Sequence, residues 1–240
     1  MINFDASRKI TAEFIGTTFL LATVIGSGIM AETLSPNNSG IALLANMTAT
    51  GAILMVLILI FGPISGAHFN PAVTLAFAAS RHFPRRDIIP YITAQCLGAI
   101  SASGVHYLSL SSVLEQRFPG AILNLGVTLP LDDRWLTGFV WEFLLTFFLM
   151  MVIMAVATDF RAVGQMAGLA IGGTVWFEAM FAGPLCGASM NPARSLGPAL
   201  IAGEWSHFTA YVSGPVLGAI CGAFFYEFIR CHPREDTPVK

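Results

Sequence analysis

The chain has very little charge for its length. Of its 240 residues, 12 are Lys or Arg and 14 are Asp or Glu, so that charged residues make up 11% of the sequence and hydrophobic residues 55%. A water-soluble domain of this length needs far more charge on its surface. The net charge of −2 and the lack of a basic run also argue against a nucleic-acid partner. The composition therefore predicts a protein whose partner is the lipid bilayer.

Groupings of residues that hold metals or perform catalysis are missing as well. The four cysteines show no metal-ligand spacing and predict no structural disulfide; they are Cys96, Cys186, Cys221 and Cys231. The histidines do not cluster into a metal site. No Gly-x-Ser-x-Gly elbow is present, and Ser189 has no evident His or Asp partner. We predict no metal, no cofactor and no enzymatic activity.

Long apolar runs are what the sequence has instead. A helix needs roughly 20 such residues to cross about 30 Å of hydrocarbon. Runs of that length lie at 10–31, 41–62, 87–109, 136–157, 164–182 and 208–229. The first run is too long for a signal peptide and is followed by more of the same, so we interpret it as a retained span. The sequence thus predicts six transmembrane helices.

The triplet Asn-Pro-Ala occurs twice, each time after a loop that contains glycine. In Asn70-Pro71-Ala72 and in Asn191-Pro192-Ala193, a strong N-cap residue precedes a proline at the first helical position. The helices that start there, 71–80 and 192–201, are too short to cross a bilayer. Irregular backbone at membrane depth is tolerated only where it is buried in protein or lines a watery cavity. Two re-entrant half-helices, with their preceding loops beside such a cavity, are therefore expected.

The two halves of the chain also match elsewhere. Glu13-Phe14 corresponds to Glu142-Phe143, and Leu97-Gly98-Ala99-Ile100 corresponds to Leu217-Gly218-Ala219-Ile220. Because each half holds an odd number of spans, the second copy must enter the membrane from the opposite side. We predict an all-α membrane protein with inverted repeats over about 8–109 and 135–230, joined by an extracellular loop at 110–134, within a single domain spanning 1–240.

The orientation follows from the basic residues, which are retained on the cytoplasmic side. Nine of the 12 fall on one face of the predicted topology; they are Arg8, Lys9, Arg81, Arg85, Arg86, Arg161, Arg230, Arg234 and Lys240. Both termini are therefore expected in the cytoplasm. The protein is expected to be a multi-pass protein of the plasma (inner) membrane.

The asparagines of the two triplets point to a chemical role for the cavity. A capping Asn holds its amide donors in a fixed direction, and the two half-helix dipoles add positive potential at the same place. Water or a neutral hydroxyl solute could accept hydrogen bonds there, whereas cations would be repelled. Backbone carbonyls of the loops could replace lost hydration; these belong to Gly66, Ala67, His68, Gly187, Ala188 and Ser189. The alternative is that Asn70 and Asn191 are ordinary caps of buried helices.

Charged residues within apolar segments need a specific explanation. Arg194 follows the second triplet, where a guanidinium costs several kcal/mol unless it is solvated or paired, so it should line a wet passage rather than snorkel. Glu13 and Glu142 are interpreted as buried acceptors for loop amides, with direct solute contact as the alternative. Glu178 either faces extracellular water, pairs with Arg194 or shapes the vestibule.

These residues together resemble the aquaporins, the major intrinsic protein family, over essentially the full chain. The resemblance is carried by the segments Ser65 to Thr74 and Asn191 to Ser195, by Glu13 and Glu142, and by Gln95 with Gly98. It implies a passive channel for water and small neutral solutes and a homotetramer with one pore per subunit. It also places Arg194 at the outer constriction and His68 on the cytoplasmic side of the pore, although a lone His is also often a core residue.

The resemblance also assigns the other constriction positions. Counting from the triplets without gaps places Thr50, Ala179 and Ala188 in a ring with Arg194, whereas a slip of one residue would bring Glu178 or Met180 there. Water-selective relatives usually have Phe and His at the first two positions. Glycerol facilitators place aromatic residues in this ring and usually have Asp where this chain has Ser195.

The small ring resembles that of nodulin-26-like proteins and their bacterial relatives. It implies a widened filter for glycerol or for metalloid hydroxides such as arsenous, boric and silicic acid. An orthodox water channel and an ion-coupled secondary transporter are the alternatives. Cys186 lies two residues before Ala188 and is either reachable from the pore by mercury or a buried inert thiol.

Overall fold

The protein is described by a computed structural model that covers residues 5–117, 125–159 and 166–230. Within these ranges it forms eight α-helices joined by loops and one 3₁₀ turn. They are α1 (Ala6–Leu34), α2 (Ser39–Ser65), α3 (Pro71–Ala79), α4 (Ile88–Arg117), α5 (Trp135–Ala157), α6 (Ala167–Cys186), α7 (Pro192–Ala202) and α8 (Ala210–Ile229). Arg161, Arg234 and Lys240, which entered the orientation argument, and Cys231 lie outside the described residues.

Six of these helices are long and apolar enough to cross a membrane, and α3 and α7 are the two short ones. The predicted six spans and two half-helices are thus present. The structure differs from the sequence prediction mainly at the end of α4, which continues to Arg117 and takes up the first part of the predicted 110–134 loop. The prediction ended the helix where its apolar character ends, but no Pro or Gly interrupts residues 110–117, so the helix continues.

The half-helices begin where the Asn-Pro-Ala triplets predict. The side-chain oxygen of Asn70 accepts a hydrogen bond from the Ala72 backbone N–H at 2.9 Å, and that of Asn191 accepts from Ala193 at 3.0 Å. Pro71 and Pro192 occupy the first helical position, where no N–H is needed. Both helices therefore start at a fixed point with an electropositive end.

Each half-helix packs against the opposite half of the chain. α3 packs mainly on α8, and α7 packs mainly on α4. Around them, α1 packs on α2 and α4, α5 packs on α6 and α8, and α2 pairs with α6. This exchange brings the starts of α3 and α7 together in the interior.

Two pairs of long helices approach closely at matching glycines. A Cβ at Gly98 would lie 2.6 Å from the Phe14 carbonyl oxygen, and one at Gly218 would clash with the Phe143 carbonyl. Only glycine allows these backbones to come so near. Phe14 and Phe143 follow Glu13 and Glu142, so the close contacts fix the depth of both carboxylates beside the loops.

Candidate functional site

The two half-helices meet through their asparagines. The Asn70 Nδ2 donates to the Met190 carbonyl at 2.7 Å, and the Asn191 Nδ2 donates to the Phe69 carbonyl at 2.8 Å. Each amide thus caps its own helix with oxygen and binds the opposite loop with one N–H. The second N–H of each amide is left for a ligand.

The loops before the asparagines adopt the same backbone conformation. Gly66 and Gly187 end α2 and α6 with φ values of 89° and 82°. Ala67 and Phe69 also have positive φ, and so do their counterparts Ala188 and Met190. Left-handed residues other than glycine cost about 1–2 kcal/mol each, so these loops need support from their surroundings.

Glu13 supplies that support to the first loop. Its Oε1 accepts from the His68 N–H at 3.0 Å and from the Ser65 hydroxyl at 2.7 Å. Its Oε2 accepts from the Phe69 N–H at 2.7 Å and from Gln95 Nε2 at 2.8 Å. Since both oxygens are used by the protein, the carboxylate acts as a scaffold in this structure.

Glu142 repeats the arrangement in the second loop. Its two oxygens accept from the Ser189 N–H at 2.7 Å and from the Met190 N–H at 2.6 Å. Two tyrosine hydroxyls occupy matching positions as well. The Tyr91 hydroxyl donates to the Ser65 carbonyl and the Tyr211 hydroxyl donates to the Cys186 carbonyl, each at 2.8 Å. The two halves therefore hold the backbone of their loops by matching carboxylate and tyrosine contacts.

A cavity of about 640 Å³ runs past both asparagines. The predicted pore residues that line it are Asn70, Asn191, Gly66, Ala67, His68, Gly187, Ala188, Ser189, Thr50, Ala179 and Arg194. Most of the remaining lining is aliphatic, from residues such as Leu20, Val24 and Ile58. An apolar wall with a few polar groups lets a solute pass those groups without binding tightly elsewhere.

Arg194 lines this cavity and is half-buried. Its Nη1 donates to the carbonyl of Gly126, and its backbone N–H donates to Asn191 Oδ1 at 3.3 Å. The guanidinium is therefore held by the cavity wall and does not snorkel to the surface. Gly126, which has φ +75°, was missed by the sequence analysis because the segment 110–134 was interpreted as a connection only.

The other three ring positions also reach the cavity. Thr50, Ala179 and Ala188 line it, whereas neither Glu178 nor Met180 belongs to its wall. The gap-free counting through α6 is thus consistent with the structure. The Thr50 Oγ1 has no hydrogen-bond partner within residues 5–117, 125–159 and 166–230, although other helical hydroxyls, such as that of Thr48, bind the preceding turn.

Glu178 is not the water-facing carboxylate that was one expectation. It is only 2% exposed and lies in α6 among buried neighbours. Its Oε2 has no hydrogen-bond partner, and no ion pair joins it to Arg194 in the part of the chain that the structure describes. The sequence could not reveal this burial, because the face of α6 that packs on α5 is set by tertiary contacts.

Cys186 and His68 are both held by neighbours. Cys186 is 0% exposed and donates its thiol proton to Glu142 Oε1 at 3.6 Å, so it lies behind the loop and does not line the cavity. His68 lines the cavity, and its Nδ1 lies 3.0 Å from the hydroxyl of Thr74. The geometry thus favours the inert thiol and the pore-lining histidine among the alternatives.

Comparison with known proteins gives consistent results along the whole chain. A family model described as "Major intrinsic protein" matches residues 1–226. Aquaporin NIP1-1 of Oryza sativa subsp. japonica is 46% identical over 224 residues, covering 93% of this chain and 74% of that protein. Nodulin-26 of Glycine max is 45% identical over 242 residues, covering 100% of this chain and 83% of that protein.

A solved structure agrees in fold. The X-ray structure of the aquaglyceroporin from Plasmodium falciparum superposes with a TM-score of 0.80 and 23% identity. The match covers 94% of this chain and 97% of that one.

Proposed function

Because the chain belongs to the major intrinsic protein family and is a channel for water and small uncharged solutes, we propose that its filter is widened for compact polyhydroxy solutes. The protein is a multi-pass membrane channel and not an enzyme. The solutes proposed are glycerol and uncharged metalloid hydroxides such as arsenous, boric and silicic acid. Their common feature is several hydroxyl groups on a small, neutral molecule.

The observation that carries the proposal is the composition of the ring around Arg194. Ala179 and Ala188 contribute only methyl groups, and Thr50 is a small side chain whose Oγ1 is buried, so no bulky side chain from these three positions narrows the cavity. A solute with several hydroxyls could bind the Arg194 donors and the backbone carbonyls of the neighbouring loop in one position, which compensates for its lost hydration. A water-only filter would need bulkier side chains at these positions.

Passage past the midplane is proposed to depend on Asn70 and Asn191. Their remaining N–H groups and the positive ends of α3 and α7 face the same stretch of the cavity. A water or solute hydroxyl that accepts hydrogen bonds from the two asparagines is turned away from the chain of like-oriented waters that proton hopping requires. Cations are repelled by the positive potential at the same place. Neutral solutes therefore pass while protons and cations are excluded.

The alternatives are less consistent with the site. An ion-coupled transporter normally needs free carboxylates near the midplane. Glu13 and Glu142 have both carboxylate oxygens bound to loop donors, and Glu178 does not line the cavity. An orthodox water-selective channel remains the second candidate, and the solute assay separates it from the proposal.

The first prediction concerns which solutes pass. Proteoliposomes should shrink and then reswell under gradients of glycerol or arsenous acid, but only shrink under sucrose, as followed by stopped-flow light scattering. The flux should be non-saturating, have a low activation energy and need no ion gradient. Vesicles without protein serve as the control. If the vesicles reswell with none of these solutes while water flux is intact, the protein is the water-selective channel and the proposal is wrong.

The second prediction concerns assembly and orientation. We propose one channel domain over residues 1–240, made of inverted repeats at 8–109 and 135–230 with an extracellular connection between them. It is proposed to form homotetramers in the plasma (inner) membrane, with both termini cytoplasmic. Native mass spectrometry should give four times the mass of one chain.

Tags at either end of the chain test the orientation. They should resist protease added outside intact cells and be removed after permeabilisation; cleavage in intact cells would contradict the orientation.

A further inference from the structure

The second half of the chain departs from the first at one polar position behind its loop. In the first half, the Thr74 hydroxyl donates to the Asn70 carbonyl at 3.1 Å and accepts from Gln95 Nε2 at 3.0 Å. The corresponding residues of the second half are Ser195 and Pro215, which follow Asn191 and Tyr211 by four positions as Thr74 and Gln95 follow Asn70 and Tyr91. Proline has no side-chain donor. The hydroxyl of Ser195 therefore needs a partner from elsewhere.

Thr128 fills that place from the segment before α5. Its Oγ1 lies 2.8 Å from the Ser195 Oγ, and the Ser195 Oγ lies 2.6 Å from the Ser189 Oγ. Ser189 in turn donates to the Asn191 carbonyl at 2.9 Å. Each hydroxyl has one proton to donate, so Ser195 must donate to Ser189 and Thr128 must donate to Ser195. The direction of the whole chain of hydrogen bonds is thereby fixed.

Thr128 is also in close contact with the loop beside the ring. It is buried, and a Cβ at Gly187 would lie only 3.0 to 3.2 Å from its atoms. Three residues further on, the Leu131 N–H donates to the Leu185 carbonyl at 2.9 Å. The segment is thus attached to α6 at Leu131 and to α7 at Thr128.

The same segment carries the carbonyl that binds Arg194. Gly126 lies two residues before Thr128 and accepts from the guanidinium. A Cβ at Gly126 would be 3.9 Å from both terminal nitrogens of that guanidinium, so the two groups lie side by side. Thr128 hydrogen-bonds through its side chain to Ser195 of the half-helix, and it lies two residues from the Gly126 carbonyl.

We propose that Thr128 is a positioning residue for the filter: its hydroxyl, bound to Ser195, holds the Gly126 carbonyl that keeps the Arg194 guanidinium against the cavity wall. The proposal rests on the ring proposed above as the solute filter. Without the Thr128 hydroxyl, the carbonyl moves, and the guanidinium extends further into the lumen. A larger solute is then hindered more than water is.

The test compares two substitutions at one position. Thr128→Val keeps the shape and removes the hydroxyl, whereas Thr128→Ser keeps the hydroxyl. In proteoliposomes, the ratio of glycerol to water permeability should fall about threefold in Thr128→Val, as expected for the loss of one hydrogen bond that biases a side-chain position. Thr128→Ser should restore the ratio. Thr137→Val is the matched control, because it removes a hydroxyl bound to exposed Asp132, away from Arg194.

Three results would overturn the role of Thr128. The first is an unchanged ratio of glycerol to water permeability in Thr128→Val, and the second is an equal fall of this ratio in Thr128→Ser. The third is a parallel loss of water and glycerol flux with a lowered thermal midpoint, which would show that the residue has a structural role only. If wild-type protein passes water but no glycerol, the proposed widened filter is wrong, and the role of Thr128 is tested by water permeability alone. The activation energy of water permeation should then be higher in Thr128→Val than in wild-type protein, and unchanged in Thr128→Ser.

Discussion

Replacing Thr50 by Phe should reduce glycerol and arsenous acid permeability by roughly tenfold or more while water still passes. Thr50 lines the cavity in a ring whose other members are Ala179, Ala188 and Arg194. A phenyl ring projecting from α2 would fill much of the space that the two alanines leave open. Water needs a narrower aperture than a polyhydroxy solute, so its flux should fall much less.

The measurement is the stopped-flow assay with water, glycerol and arsenous acid on the same vesicle preparation. Thr48→Phe is the matched control, since Thr48 lies on the same helix two residues away and is exposed. Adding Ala179→His to Thr50→Phe should deepen the solute block. Glycerol flux in Thr50→Phe equal to that of Thr48→Phe would show that position 50 is not part of the filter.

The sequence was sufficient to predict the fold because its signals are strong and local. Long apolar runs identify the spans, and the Asn-Pro-Ala triplets give the starts of α3 and α7 to the residue. The duplication then predicts that the two short helices belong together. The spans and the helix starts depend on neighbouring residues only, the duplication is visible by comparing the two halves of the sequence, and none of these inferences needs the packing of distant helices.

The parts of the site that the sequence did not reveal depend on long-range packing. Gly126 and Thr128 lie in a short apolar segment that Gly126 and Pro130 interrupt, so it predicts no span, and their contacts are with α7, more than 60 residues away along the chain. The burial of Glu178 depends likewise on which face of α6 packs on α5. The asymmetry between Gln95 and Pro215 could have been found by aligning the two halves, and it would have pointed to a missing donor near Ser195.

The loop before α7 should depend on Glu142 far more than on Glu178, although both are buried carboxyl groups in the second half of the chain. Glu142 accepts from the backbone N–H groups of Ser189 and Met190, which have no helical partner. An amide at this position can accept from only one of them and presents its own N–H groups to the other. Glu142→Gln should therefore leave a buried donor unpaired in a loop that also contains left-handed Ala188 and Met190.

The expected cost of Glu142→Gln is about 2–4 kcal/mol, which corresponds to a fall in the thermal midpoint of roughly 10 °C and to loss of conduction. Glu178→Gln is the matched control, because it makes the same chemical change at a buried carboxyl whose Oε2 has no partner in the described ranges 5–117, 125–159 and 166–230. It should leave the midpoint unchanged or raise it, since less charge is desolvated. Thermal unfolding in detergent and flux in proteoliposomes measure both effects. Equal destabilisation by the two substitutions would mean that removal of charge, and not the loss of the loop acceptor, determines the result.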